Sequence, residues 1–158
     1  MENKILNLAK GVEEYIIKNR RELHKIPELH LDLPKTLKYI TDELDDLGIK
    51  YEVYKDISSV VAIIEGRGRG KTLAIRCDMD GLPIKEETNL PFASTNENMH
   101  ACGHDGHMAV LLGTAKLLKE RNNFNGSVKL IFQAGEEYPG GAKLLIERGV
   151  LKDVDSII

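Results

Sequence analysis

The spacing of apolar residues predicts four amphipathic or capped helical segments along the chain. Residues 3–25 carry apolar side chains at largely helical spacing, which predicts one amphipathic helix. The segment 32–50 predicts a second helix, with Pro34 suited to its first turn and Gly48 to its C-terminal cap. Two further helices are predicted over residues 105–121 and 140–149.

Short runs rich in β-branched residues predict the strands. They cover residues 51–54, 59–66, 71–80, 127–134 and the apolar run that begins at 154. Strands and helices alternate in the second half of the chain, which is typical of crossover helices on a parallel sheet. The predicted fold class is therefore α/β, with a mostly parallel or mixed sheet flanked by helices. Because residues 154–158 end in a strand pattern, we expect the chain to be part of a longer protein.

Composition narrows the classes of function. The 158 residues carry a net charge of −3, with basic residues scattered among acidic ones, so neither nucleic acid nor an anionic membrane is an expected partner. No apolar run approaches about 18 residues, and the charged N-terminus does not resemble a secretory signal. With two cysteines and no signal, we expect a cytoplasmic protein with free thiols.

Pairs of carboxylates follow two of the predicted strands. Asp78 and Asp80 lie two residues apart at the end of one strand and so face the same side of it. Glu136 and Glu137 follow another strand. Adjacent carboxylates repel, so they must be solvated or share a cation. Taken alone, Asp78 and Asp80 are more consistent with a solvated strand end that starts a turn. Glu136 and Glu137 are as consistent with the acidic start of the next helix as with a functional site.

The stretch "MHACGHDGHM" over residues 99–108 concentrates groups that bind metals. Three interpretations are open: a disulfide between Cys77 and Cys102, a Cys102 nucleophile with His100 or His104 as its base, and a metal site. Thiolate, imidazole and carboxylate are common ligands of zinc and similar ions, which favours the metal site. The stretch supplies only part of a coordination sphere, and the remaining ligands must come from elsewhere.

Four segments together resemble the M20 metallopeptidase family. They are "RRELHKIPEL" (20–29), "LAIRCDMDGLPIKEET" (73–88), "MHACGHDGHMAVLLGTAKLL" (99–118) and "VKLIFQAGEEYPGGAKLLIERGVL" (128–151). The branch they resemble contains N-acyl-L-amino acid amidohydrolases, hippurate hydrolases, indole-acetyl-amino acid hydrolases and N-acetyldiaminopimelate deacetylases. The resemblance implies that residues 1–158 form the N-terminal portion of a zinc-peptidase-like catalytic domain. The inserted dimerisation or lid domain and the C-terminal part of the catalytic domain lie outside this chain.

The resemblance also implies roles for individual residues. Cys102 and His104 match metal ligands, with the thiolate bridging two metals, and the pair that follows matches a general base (Glu136) and a ligand (Glu137). Asp80 matches a carboxylate that orients the site. Asp78 stands where the wider family has a ligand histidine, which leaves its role among the catalytic residues open. Two further ligand histidines are expected beyond Ile158, one of them a few residues after it.

Other residues of these motifs are expected to support the site. We predict that His100 and His107 pack or form hydrogen bonds, that Asp105 caps the N-terminus of the helix at 105–121, and that Cys77 is buried. His24 is expected to cap or pack near the end of the first helix. The branch usually has Gln-Pro-Ala-Glu-Glu where this chain has "QAGEE", which predicts a looser turn that keeps both carboxylates.

The expected activity is metal-dependent hydrolysis of the amide bond in N-acyl amino acids, such as acetyl or benzoyl derivatives. Two divalent ions of the zinc, manganese, cobalt or nickel type are the implied cofactors. The alternatives are an amino- or carboxypeptidase of the same family, or an inactive fragment with an incomplete metal site. The implied partner is a small N-acyl amino acid or short peptide, and the full-length protein is expected to be a homodimer or a higher oligomer.

Overall fold

The computed structural model describes residues 2–158, which form five helices and one five-stranded sheet. The helices are α1 (Glu2–Lys10), α2 (Glu13–His24), α3 (Pro34–Asp46), α4 (His104–Arg121) and α5 (Gly141–Glu147). The strands are β1 (Lys50–Tyr54), β2 (Ser59–Glu65), β3 (Thr72–Asp78), β4 (Ser127–Gln133) and β5 (Ser156–Ile157). Among the described residues, no helix is long and apolar enough to cross a bilayer.

The sheet is mixed and its strand order is β1-β2-β4-β3-β5. β1 pairs with β2, and β2 with β4, in antiparallel fashion, whereas β3 pairs in parallel with both β4 and β5. Helix α4 connects β3 to β4, as the alternation of strand and helix predicts. The predicted α/β class with a mixed sheet is confirmed.

Alternation along β4 shows how the sheet divides the core. Leu130 and Phe132 are fully buried in the larger cluster, which includes side chains of α2, α3 and α4. Ile131 points to the opposite face, where it belongs to a smaller cluster with Leu145 of α5. The sheet therefore has α2, α3 and α4 on one face, with α1 in contact with α4, and α5 on the other.

The single helix predicted over residues 3–25 is wrong, because the structure has two helices there. Helix α1 ends at Lys10, and Val12 adopts the non-helical angles φ −114° and ψ 7° before α2 begins. Glycine is a poor helix former, so Gly11 is a natural place for the break. The caps predicted for the next helix are confirmed, with Pro34 in its first turn and Gly48 just past its end at φ +62°.

Helix α4 crosses α2 at a point where only a glycine fits. A methyl group on Gly113 would lie 2.5 Å from Ile16 Cγ1 and 2.6 Å from Ile16 Cδ1. Gly106, on the same helix, has nothing within 4 Å of where its Cβ would stand. Gly113 thus fixes how closely the helix that begins at His104 approaches α2.

We predict that Gly113→Ala lowers the free energy of unfolding of the intact protein by about 1 kcal/mol. Overpacking costs about 1–3 kcal/mol, which exceeds the gain in helix propensity of about 1 kcal/mol. The matched variant Gly106→Ala should gain stability from the propensity alone. Urea denaturation of both variants measures the difference, and equal shifts in the same direction would contradict the close approach.

Candidate metal centre

The residues with a predicted catalytic or metal-binding role lie together at the carboxyl ends of the neighbouring parallel strands β3 and β4. They are Asp78, Asp80, Cys102, His104, Glu136 and Glu137. Asp78 ends β3 and stands opposite Gln133, which ends β4. The N-terminus of α4 lies at the same edge, because His104 Nε2 is 3.7 Å from Asp78 Oδ2. Carboxyl ends of strands in open α/β sheets are where ligands bind. The two carboxylate pairs and the stretch 99–108 therefore form one site.

Asp80 connects the two strand ends through its side chain. Its carboxylate is buried and accepts the backbone N–H of Glu136 at 2.9 Å and that of Glu137 at 3.0 Å. Burial works to raise the pKa of Asp80, but its interaction with His104 and these two N–H groups outweigh burial and hold the pKa below its ordinary value. Asp80 is therefore ionised and fixes the backbone of the Glu136–Glu137 turn.

The backbone of Asp80 also sets the orientation of His104. The Nδ1 atom of His104 lies 2.8 Å from the carbonyl oxygen of Asp80 and 3.7 Å from its Oδ1, so the Nδ1 proton goes to the carbonyl. Nε2, on the other side of the ring, then faces the site. Nε2 lies 3.8 Å from Glu136 Oε2 and 3.9 Å from Glu137 Oε1. The buried imidazole thus presents a metal-binding atom towards two carboxylates.

Three of the predicted ligands form a group that fits a divalent cation. One ligand atom each from Cys102, His104 and Glu137 lies within 4.8 Å of the others. A hydrogen bond with Glu137, burial and nearby carboxylates raise the pKa of Cys102 above its ordinary value. A reactive thiol needs the opposite shift, which argues against the Cys102 nucleophile. A bound cation would reverse the shift and keep the thiolate.

The other interpretation of the cysteines, a disulfide, is wrong in this structure. Cys77 is buried and Cys102 is exposed, and both are free thiols. Burial raises the pKa of Cys77 well above its ordinary value, as expected for a small apolar core residue. Cys102 alone is therefore available to a ligand.

Asp78 belongs to a second group of metal-binding atoms with His104 and His107, but its oxygens are already engaged. Oδ1 lies 2.6 Å from His107 Nδ1, and Oδ2 accepts a hydrogen bond from the Arg76 guanidinium at 2.7 Å. Burial works to raise the pKa of Asp78, yet His107, His104 and Arg76 lower it further than burial raises it. Because a fixed cation already pairs with Asp78, this group is a poorer cation site than the one that contains Cys102.

The predicted N-terminal cap of α4 is wrong. Gly103, at φ +96°, occupies the cap position, and Asp105 lies within the first turn. The Asp105 carboxylate is buried and bonds to His24 Nδ1 at 2.6 Å and to Arg20 Nε at 2.9 Å. A cap needs a residue that precedes the first turn, and the helix begins at His104.

The remaining histidines of the stretch differ in their surroundings. His107 is half exposed and its ring stacks on that of His104, with the centroids 5.7 Å apart. His100 is buried, and neither of its ring nitrogens has a hydrogen-bond partner. Burial lowers the pKa of His100 to about 4, so its ring is neutral. The structure thus places His107 beside the site and His100 behind it.

A hydrogen bond anchors the start of the Glu-Glu turn, at the position where the resemblance to the family implies a proline. The backbone N–H of Ala134, which a proline would lack, donates to Ser59 Oγ at 3.1 Å. That hydroxyl in turn donates to the carbonyl of Ile57 at 3.0 Å. The alanine thus ties this turn to the start of β2 through a bond that a proline could not make.

Comparison with known proteins identifies the family of the chain. Residues 74–158, more than half of the chain, match the family described as Peptidase family M20/M25/M40. The chain belongs to this family. The N-acyl-L-amino acid amidohydrolase of Geobacillus stearothermophilus is 42% identical over 157 residues, covering 98% of this chain and 42% of that protein. Thermostable carboxypeptidase 1 of Saccharolobus solfataricus is 43% identical over 159 residues, covering 98% of this chain and 40% of that protein.

A solved family structure shares the fold. The YxeP protein of Bacillus subtilis, described as a dinuclear metal-binding peptidase from the M20 family, superposes with a TM-score of 0.89 at 44% identity. The match covers 94% of this chain and 42% of that one. This chain thus spans about two fifths of the length of the curated relatives it matches.

We predict that Asp80→Asn lowers the free energy of unfolding of the metal-free protein at neutral pH by about 1–3 kcal/mol, because a buried hydrogen-bond network loses an acceptor. Asp153, an exposed aspartate, provides the matched control variant Asp153→Asn. Urea denaturation measures both changes, and equal stability of the two variants would contradict the role given to Asp80.

We also predict how the difference in free energy of unfolding between the unaltered protein and Asp80→Asn depends on pH. The lowered pKa of Asp80 stabilises the folded state fully at pH values above the ordinary aspartate pKa of 3.8, and this stabilisation is lost as pH falls below that value. The stability gap between the unaltered protein and Asp80→Asn should therefore narrow on acidification. A gap that widened would contradict an ionised, hydrogen-bonded Asp80.

Proposed function

We propose that the protein is a metal-dependent hydrolase that cleaves the amide bond of N-acyl amino acids. The observation that carries this proposal is the arrangement around His104. Cys102 and Glu137 complete a three-residue ligand group, while Glu136 lies beside the same imidazole but outside that group. Hydrolysis needs both a cation site and a free base next to it.

Cys102, His104 and Glu137 are the side chains that would hold the two proposed divalent ions. Zinc, manganese, cobalt and nickel all accept a set of sulfur, nitrogen and oxygen donors of this kind. When bound, such ions would lower the pKa of water towards neutrality and polarise the amide carbonyl. Asp80, which holds both the His104 ring and the Glu137 backbone, would fix the directions of two of these ligands.

Glu136 is the proposed general base. Its side chain is 41% exposed, so a substrate and a water can reach it, while Asp80 anchors its backbone. The carboxylate takes a proton from the attacking water as the new C–O bond forms at the acyl carbon. It then delivers that proton to the amine nitrogen as the C–N bond breaks. The products are a carboxylate and a free amino acid.

The substrate class rests on the relatives' names and on the chemistry of the site. The Geobacillus stearothermophilus protein is named as an amidohydrolase of N-acyl-L-amino acids, which supports an N-acyl amino acid as the substrate. The Saccharolobus solfataricus protein is named as a carboxypeptidase, which supports short peptides as the second candidate substrate. A shared mechanism serves both, because each substrate presents an amide to the same groups.

The intact protein is proposed to contain more than this part of the catalytic domain. Strand β5 pairs with β3 so that Ser156 lies opposite Leu73 and Ile157 opposite Ala74. A segment that continued this register past Ile158 would run towards Asp78 and the metal centre. This geometry supports a ligand histidine shortly after Ile158. The second histidine, the lid or dimerisation domain and the homodimer or higher oligomer belong to the same proposal and rest on the resemblance to the family.

We predict that Glu136→Gln lowers kcat of the intact, metal-loaded protein by about 10²–10⁴-fold, because glutamine cannot accept the proton. Its metal content should be unchanged. Glu137→Gln should instead lower the metal content itself. Hydrolysis of N-acetyl and N-benzoyl amino acids, with metal analysis of each variant, measures these effects.

Three outcomes of these assays separate the candidate functions. Undiminished hydrolysis by Glu136→Gln with full metal content would contradict the base assignment. Faster cleavage of dipeptides than of N-acyl amino acids would assign the chain to the peptidases. Absence of both metal and activity in residues 1–158 prepared alone, with both present in a longer protein, would show that this part holds an incomplete site.

A further inference from the structure

A cluster of four charged side chains lies behind the first turn of α4. Asp105 of α4 contacts Arg20 and His24 of α2, and His24 also contacts Glu86, which lies in the segment between β3 and Cys102. The side chains of His24, Glu86 and Asp105 are only 3%, 2% and 1% exposed. Buried charges are costly unless they are paired and hydrogen-bonded, so each must stay with its partners.

His24 bridges the two buried carboxylates through both of its ring nitrogens. Nδ1 lies 2.6 Å from Asp105 Oδ2, and Nε2 lies 3.2 Å from Glu86 Oε1. Carboxylate oxygens accept hydrogen bonds, and an imidazole ring carries one polar nitrogen on each side. The single ring of His24 therefore connects Glu86, in the segment after β3, to Asp105 in the first turn of α4.

An aromatic side chain covers the cluster. The Phe92 ring packs edge-on against His24, with the centroids 5.9 Å apart, and the Arg20 guanidinium lies 5.2 Å from the Phe92 centroid. Water exclusion strengthens the charge–charge contacts, because the effective dielectric constant falls. The cluster is therefore a rigid link rather than a set of exposed ion pairs, which are worth little.

The link ends directly beside the proposed metal ligands. Asp105 is the neighbour of His104 in the chain, and Gly103 and Cys102 form the turn that leads into it. The side chains of Arg20 and His24 therefore fix the rotation of this first turn. The direction of His104 Nε2 depends on that rotation. Phe92 and Glu86 belong to residues 81–98, which the segment just after α2 also holds. The Gly81 N–H donates to the carbonyl oxygen of Glu28, and Thr95 Oγ1 donates to that of Lys25.

We propose that Arg20 and His24 are positioning residues of the metal centre. They touch neither substrate nor metal and act through Asp105 on the first turn of α4. The inference rests on the proposed function, since it gives these residues a purpose only if His104 and Cys102 bind metal. It also gives the "RRELH" segment, which lies far from the site in sequence, a part in the activity.

The test is cobalt binding by the intact protein and by variants of the cluster. In His24→Gln, no single side chain bridges Glu86 and Asp105, and we expect the dissociation constant for Co²⁺ to rise by about 10-fold or more. The visible and thiolate-to-cobalt absorption bands should change as well, because the ligand geometry changes. Arg20→Gln, at a more exposed position, should shift the same readouts less, and Arg20→Lys should partly restore them.

Glu22→Gln is the matched control, because Glu22 lies on the same helix and, within the part of the chain that the structure describes, forms an ion pair only with the partly exposed Lys25. It should leave cobalt affinity, spectrum and kcat unchanged. A merely structural cluster would lower the unfolding temperature of the metal-free His24→Gln and Arg20→Gln proteins but leave their cobalt affinity and spectra unaltered. That result would overturn the proposal. If the unaltered protein binds no cobalt, the proposed function itself fails, and the positioning role fails with it.

Discussion

The buried carboxylate of Asp80 is the constraint on which the candidate site depends. It accepts the backbone N–H groups of Glu136 and Glu137, and its own carbonyl oxygen accepts the Nδ1 proton of His104. One residue past the end of β3 thus ties the turn after β4 to the helix that begins at residue 104. Each carboxylate and the imidazole then face one small volume. These hydrogen bonds hold the end of β3, the turn after β4 and the start of α4 in fixed positions relative to one another.

Around this constraint, the charges of the site fall into two layers. Those that face the open side are the exposed or half-exposed groups Cys102, Glu136 and Glu137, which are free to meet a cation and a substrate. Those behind are already paired: Asp78 with Arg76 and His107, and Asp105 with Arg20 and His24. A bound cation stabilises a carboxylate that is already paired, such as Asp78, only a little. It stabilises neighbouring carboxylates that lack such a partner, such as Glu136 and Glu137, much more. This contrast favours the Cys102 group over the Asp78 group as the metal site.

Much of the fold and the site follows from local patterns in the sequence. Alternating and helical periodicities predict the strands and α3, because burial on one face imposes them. The carboxylate pairs at strand ends predict the site, because parallel strands bring their carboxyl ends to one edge. The break at Gly11 was missed because apolar spacing continues across it. Glu86 and Arg20 were missed because their partners are far away in sequence, although Arg20 and His24 share a helix face at i, i+4 spacing.

The most direct test of the central assignment is a crystal structure of the intact protein with anomalous diffraction measured at the absorption edge of its bound metal. We expect two anomalous peaks at the group formed by Cys102 Sγ, His104 Nε2 and a carboxylate oxygen of Glu137, with all three of these atoms at ligand distance from a peak and Glu136 outside that distance from both. Zn–S and Zn–N distances of about 2.3 Å and 2.0–2.1 Å would identify the ligands for zinc. A peak bound by Asp78 and His107 instead, or one with Glu136 as a ligand in place of Glu137, would contradict the assignment.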